Sequence, residues 1–235
     1  MIVSDATLYQ DRLSAGEALA EAVADSLVGV ESPVRVYALP RGGIPVAAPI
    51  AQRLNCPLEV LASKKISLPR NSELALGAVT PDGTTVWSKY PHLQRQNQKE
   101  LEKARERALA SAIAQQEQFN PHCPAADVKK AIVLIVDDGI ATGMTMMTAV
   151  AALRKKQPAQ IWIAAPFAPP EIKPQLLKYS DRAIILHTPD PFINVGRFYA
   201  NFPQVSIEEA ISYLTGDKQW TATGLGRSRR RTFPV

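Results

Sequence analysis

The strongest pattern along the chain is the run Ile132–Val136, five consecutive apolar residues of which most are β-branched. Such a run predicts a strand buried on both faces of a parallel sheet. Two carboxylates, Asp137 and Asp138, stand at its end, followed by a turn with Gly139, Thr142 and Gly143. The apolar-rich stretch 146–154 then predicts a helix. Shorter apolar runs at 34–39, 58–62, 160–165 and 183–186 predict four more strands. Leu13, Ala18, Leu19, Ala22, Val23 and Leu27 predict a helix over 11–28, and 44–54 predicts another, with Pro45 tolerated in its first turn. Strands alternating with helices predict an α/β fold with a parallel, Rossmann-like sheet.

Between the second and third of these strands the pattern changes. Residues 63–71 are polar and basic, and then 76–79 and 84–87, separated by Pro81-Asp82-Gly83, predict a hairpin leaving the main sheet. A long charged helix is predicted over 93–118, with Leu101, Ala104, Ala108 and Ala112 on one face and a solvated Glu/Lys/Arg mixture on the other. Pro121–Pro124 reads as a loop. Pro169-Pro170 opens a predicted helix at 170–179, and a last helix is predicted at 206–215 after an irregular, aromatic-rich stretch. The pattern predicts one domain over 1–217, with a small hood at 187–215 and a basic, flexible tail at 218–235.

Composition adds bounds to this picture. A chain of 235 residues suffices for one α/β domain with a modest appendage. No apolar run approaches the ~20 residues of a membrane span. Early acidic and polar residues (Ser4, Asp5, Gln10, Asp11) do not resemble a secretory leader, and Cys56 and Cys123 read as reduced thiols, so a cytoplasmic protein is expected. The net charge of +5 resides in the tail, where Lys218, Arg227, Arg229, Arg230 and Arg231 meet no acid. Residues 1–217 are therefore neutral, and a nucleic-acid footprint is confined to the tail. His92 and His122 read as loop residues without the second ligand pair of a zinc site.

The candidate chemistry sits where the strands end. A turn opening a helix at the carboxyl end of a parallel strand offers free N–H groups and the positive end of a dipole to a phosphate, with hydroxyls from Thr142 and Thr145. Acids beside such a cradle must face sugar hydroxyls or a cation, so a phosphorylated sugar is the expected ligand. The segment from Val133 to Thr145, VLIVDDGIATGMT, resembles the signature of type I phosphoribosyltransferases, which use phosphoribosyl pyrophosphate (PRPP). The resemblance extends over about residues 8–215. It implies that Asp137 and Asp138 hold the ribose hydroxyls, and that Gly139, Ile140, Ala141, Thr142, Gly143, Met144 and Thr145 hold the 5′-phosphate.

Other strand ends extend the resemblance. Pro40-Arg41-Gly42-Gly43 stands where the family's pyrophosphate loop lies, its glycines expected to supply unusual backbone conformations and close approach to an anion. Lys64 and Lys65 close the second strand, and Lys65 is expected on the pyrophosphate, the alternative being two solvated lysines. Residues 66–90 take the place of the family's flexible loop, with Glu73 a candidate catalytic carboxylate. His187, Asp190 and Phe192 fall where a hood would hold the acceptor base; a plain Pro-Asp-Pro turn with a packed Phe is the alternative. The resemblance implies Mg²⁺ bound mainly through PRPP, with Asp137 and Asp138 acting on it indirectly, and a homodimer, for which the Ala-rich face of 93–118 is a candidate contact. The implied reaction moves the 5-phosphoribosyl group to a nitrogen acceptor with release of pyrophosphate.

The motifs disagree on the acceptor. Ala141 stands where 6-oxopurine enzymes carry an Asp and adenine-type enzymes an Ala, whereas RGGIPVA is most like the xanthine-guanine type. A PRPP-sensing regulator with a nucleic-acid-binding tail, or a protein keeping only the fold, are the other classes open to such a chain.

Overall fold

The run Ile132–Val136 forms a strand with every residue buried, and it is the middle of the sheet. The structure, a computed structural model, describes residues 7–68, 74–88, 97–123 and 127–216. In chain order the main elements are α1 (Arg12–Ser26), β1 (Val34–Ala38), α2 (Gly43–Leu54), β2 (Leu58–Val60), β3 (Lys64–Ile66), β4 (Gly77–Val79) and β5 (Thr85–Trp87). There follow α3 (Gln98–Phe119), β6 (Ile132–Val136), α4 (Met144–Arg154), β7 (Gln160–Phe167), α5 (Lys173–Tyr179), β8 (Arg182–His187) and α6 (Ile207–Thr215). Five strands make one sheet in the order β2-β1-β6-β7-β8, and every pairing in it is parallel.

Alternation along β6 divides the core between the two faces of the sheet. Ile132, Leu134 and Val136 pack with Leu19 and Val23 of α1 and Ile44 and Ile50 of α2. Val133 and Ile135 pack with Met146, Val150 and Leu153 of α4 and with Ile161 and Ile163 of β7. Helix ends follow local chemistry: Asp11 and Ser14 form a reciprocal capping box at α1, and the Ser206 hydroxyl accepts the Glu209 N–H at α6.

The predicted hairpin is present, turning at Gly83 with φ +80°, but it has a third member. Lys64–Ile66 pairs antiparallel with β4, giving a small sheet β3-β4-β5. This sheet packs on α3 through Ile66, Leu76 and Val79 against Leu101, Ala104 and Ala108. The Ala-rich face is thus covered within the chain, which corrects the expectation that it meets a second copy. On the other side, Lys155 of the α4 terminus bonds the Thr84 hydroxyl and lies 3.5 Å from Asp82. Glu73, the first turn predicted for α3 and the basic tail lie outside the described residues.

Candidate active site

Chain order fixes where a ligand can enter. From β1 the chain crosses through α2 to β2 on one side, and from β6 it crosses through α4 to β7 on the other. The two connections part above the carboxyl ends of β1 and β6, which opens a crevice there. Residues 40–43 and 137–145 form its two walls. Neither α2 nor α4 has a side-chain cap at its N-terminus; at α2 the Gly43 and Ile44 N–H groups donate to the Leu39 and Arg41 carbonyls, which leaves α4 as the helix whose first N–H groups are open to a ligand.

The walls touch where a side chain is missing. A Cβ on Gly42 would overlap the Asp138 carboxylate, colliding with Oδ2 and standing 2.7 Å from Cγ. One on Gly43 would come within 2.7 Å of the Val136 carbonyl oxygen. Gly42 has φ −61° and ψ −33°, open to any residue. The glycines are therefore required by space, which corrects the expectation of backbone conformations closed to other residues. The positive-φ glycine lies on the other wall, at Gly143, with φ +71° as the N-cap of α4.

Each acid has one oxygen occupied. Asp138 N–H donates to Asp137 Oδ1 at 2.9 Å. Arg12 Nε donates to Asp138 Oδ2 at 2.7 Å, and the Tyr199 hydroxyl donates to the Asp138 carbonyl at 2.7 Å. Asp137 Oδ2 and Asp138 Oδ1 are the oxygens these bonds leave. Burial holds both carboxyls above the ordinary range; the charge of Asp138 pushes Asp137 further, while Arg12 pulls Asp138 back.

Residues 139–145 divide between anchor and cradle. Ile140 and Met144 are buried in the core, and Ile140 N–H donates to the Phe167 carbonyl at 2.8 Å. Ala141 and Thr142 are exposed, and Thr145 is half-buried. Ser63 Oγ, on the segment leading to β3, donates to the Thr145 carbonyl at 3.0 Å and ties the cradle to the small sheet. On the facing wall Lys64 lies beside Arg41. Burial, then the neighbouring guanidinium, hold its amine below the usual lysine range. Lys65, one step along the strand, is exposed; strand alternation turns it to the opposite face. Lys64 is thus the lysine that feels the charge of Arg41.

The hood is built from both ends of the described chain. Tyr9 bridges to Tyr199 as a short parallel pair, and Ala200 and Asn201 N–H groups donate to the carbonyls of Tyr9 and Gln10. His187, at the end of β8, stacks on Phe167 at 5.7 Å, and its Nε2 lies 3.0 Å from the Tyr9 hydroxyl. Phe192 is half-buried and packs on Phe198 at 5.3 Å. Asp190 is exposed and precedes Pro191 through a cis peptide. Val195 presses on Gly139, where a Cβ would come within 2.5 Å of its side chain. The hood thus rests on the first residue after the acids.

A family model, "Phosphoribosyl transferase domain", matches residues 7–193. The chain belongs to the phosphoribosyl transferase domain family. Two Mycobacterium tuberculosis proteins (strains CDC 1551 / Oshkosh and ATCC 25618 / H37Rv), provisionally named phosphoribosyl transferases, are each 35% identical over 88% of this chain. The match takes in 46% of their length, so the chain spans about half of these relatives. The crystal structure of TT1426 from Thermus thermophilus is 36% identical, with a TM-score of 0.73 over 88% of this chain and 98% of that one.

Within this phosphoribosyl transferase domain, sequence reasoning missed Arg12, Tyr9 and Tyr199. The signal for Arg12 lies in the phase of α1. The buried positions are Arg12, Ala15, Gly16, Leu19, Ala20 and Val23, so Arg12 stands in phase with the buried stripe, though not with the one expected, and a charge there needs a buried partner. Tyr9 and Tyr199 had no such signal, because their pairing joins residues 190 positions apart.

Proposed function

We propose that this domain transfers the 5-phosphoribosyl group of PRPP to a nitrogen of a nucleobase-like acceptor and releases pyrophosphate. The observation that carries this reading is the contact of the two walls at Gly42 and Asp138. It supports a reading in which the acids take a sugar diol, with the uncapped α4 terminus and the cations Arg41 and Lys64 around the same crevice. In this reading the 5′-phosphate sits at 139–145, with Thr142 and Thr145 hydroxyls beside the α4 N–H groups. Asp137 Oδ2 and Asp138 Oδ1 take the two ribose hydroxyls. Arg41 and Lys64, with the close-packed turn at Gly42 and Gly43, take the pyrophosphate, whose negative charge grows as its bond to C1 lengthens. The hood, with His187, Asp190 and Phe192, closes over C1 and the acceptor, excludes water and aligns the entering nitrogen.

The donor set fits a Mg²⁺ that arrives with the substrate. Among the described residues no group of three or more His, Cys, Asp or Glu side chains could hold a metal. The two carboxylates offer hard oxygens, one of them already paired with Arg12, which suits an ion coordinated mostly by PRPP oxygens and water. Bound there, Mg²⁺ would neutralise charge on the leaving pyrophosphate. Assembly as a homodimer and a cytoplasmic location complete the reading and rest on the resemblance and the composition; among the described residues no helix is long and apolar enough to cross a membrane.

A pyrophosphate-release assay with Mg²⁺–PRPP and adenine, guanine, hypoxanthine, xanthine, uracil or orotate tests the reaction. Release that depends on one acceptor is expected. No release with any of them, in protein that binds PRPP, would replace the transferase by a PRPP-sensing regulator.

A further inference from the structure

Arg12 is the charged side chain most deeply committed to the crevice, at 9% exposure. It reaches three groups from the first turn of α1. Its Nε donates to Asp138 Oδ2 at 2.7 Å, its Nη1 donates to the Pro203 carbonyl at 2.8 Å, and its guanidinium lies 3.6 Å from the Phe202 ring centre. Asp138 Oδ2 is thereby enclosed between Arg12 and the bare Cα of Gly42. An aspartate carboxylate otherwise turns freely about its last torsion. Here that rotation would break a charge-assisted bond and expose an unpaired buried cation.

We propose that Arg12 is a positioning residue of the ribose site: by clamping Asp138 Oδ2 it presents Asp138 Oδ1, beside Asp137 Oδ2, to a vicinal diol, and it couples that presentation to the hood through Phe202 and Pro203. The inference rests on the transferase reading above and adds a residue and a linkage to it. The Tyr199 hydroxyl, which holds the Asp138 carbonyl from the same hood segment, reinforces the linkage. When the segment 199–203 shifts, both the backbone and the side chain of Asp138 feel it. Acceptor capture under the hood and ribose capture at the acids then become one event.

The test compares two ligands that share the pyrophosphate group, of which PRPP alone adds the ribose and its 5′-phosphate. Calorimetric titrations of Mg²⁺–pyrophosphate and Mg²⁺–PRPP are run on the wild type, Arg12→Gln, Arg12→Lys and Phe202→Leu, all as the full chain. Arg12→Gln is expected to weaken PRPP about tenfold or more while changing pyrophosphate by less than about twofold. Arg12→Lys, which keeps the charge without the fork, is expected to recover part of the loss. Phe202→Leu, which touches neither acid, is expected to weaken PRPP by about two- to fivefold in the same direction. PRPP affinity unchanged in Arg12→Gln overturns the proposal. So does an equal loss of both ligands, which marks Arg12 as a fold-holding residue only. Wild-type protein that binds no PRPP at millimolar ligand overturns the transferase reading itself.

Discussion

Replacing Gly42 by Ala adds one methyl group to a residue whose backbone, at φ −61° and ψ −33°, accepts it without strain. The methyl has no room. Its carbon would overlap Asp138 Oδ2 and stand 2.7 Å from Cγ and 3.2 Å from Oδ1. The carboxylate must turn or retreat, and it cannot do so while Arg12 Nε holds Oδ2 at 2.7 Å. Losing a hydrogen bond between charged groups costs about 1.5–3 kcal/mol, or roughly 10- to 150-fold in an affinity that needs Asp138 in place. Gly42→Ala is therefore expected to weaken Mg²⁺–PRPP by that factor in a calorimetric titration and, because Arg12 is left without its buried partner, to lower the thermal midpoint by a few degrees as well. Gly43→Ala is the contrast. Its methyl would meet the Val136 carbonyl at 2.7 Å and Asp137 Cα at 3.1 Å. Backbone does not move aside as a side chain does, so the loss there is one of stability, about 1–3 kcal/mol. PRPP binding by Gly42→Ala at wild-type affinity would refute the reasoning, because the two walls would then not depend on that contact.

The electrostatics of the crevice wall and of the small sheet give further expectations. Lys64→Met is expected to weaken pyrophosphate by about tenfold, while Lys65→Met leaves it within about twofold; equal effects would mean that the strand does not sort the two lysines. Because burial and Arg41 depress the Lys64 amine, a bound polyanion raises it again. Pyrophosphate binding at alkaline pH should then take up a proton, read as a dependence of the binding heat on buffer ionisation, and affinity should fall as pH rises through that range; no uptake would contradict the placement of Lys64. Asp82 is desolvated, yet the hydroxyls of Thr80 and Thr84, the Thr84 N–H and Lys155 bring its carboxyl down to about 2. Its folded value lies below the unfolded one, so its stabilisation is present above about pH 4 and is lost as pH falls toward 2. With the side chain 49% exposed, solvent screening reduces that contribution to about 1 kcal/mol. Asp82→Asn should lower the thermal midpoint at neutral pH by a few degrees, and a difference that stays constant down to pH 2 would refute the assignment.

The sheet was legible because its strands are apolar on both faces. The observed bounds of β6 are those of the apolar run itself, and the acids and the small-residue turn follow as expected. What stayed hidden depends on contacts distant in sequence. Lys64–Ile66 carries two lysines and one buried residue, so no period marks it, and it becomes a strand only through Gly77–Val79. The Ala-rich stripe of α3 was readable as a buried face, but a periodicity does not name the surface that buries it. The Arg-Gly-Gly segment was legible as a tight turn at a strand end, yet the reason for its glycines, a carboxylate from a loop nearly a hundred residues away, was not. The stripe expected on α1 ran through Leu13, Ala18 and Ala22, whereas the structure buries Arg12 with Ala15, Leu19 and Val23, so Arg12 did not stand out. The acids thus stood out from local pattern, and Arg12 and Tyr199, which bond Asp138, did not.

In the proposed function Asp137 and Asp138 form the sugar-binding floor of a PRPP site. The most direct test is calorimetric titration of Mg²⁺–PRPP into the wild type and into the Asp137→Asn/Asp138→Asn double variant. The account predicts saturable binding in the wild type and its loss in the double variant, with Mg²⁺–pyrophosphate still bound at Arg41 and Lys64. PRPP binding that survives in the double variant, or is missing from the wild type at millimolar ligand, would contradict it.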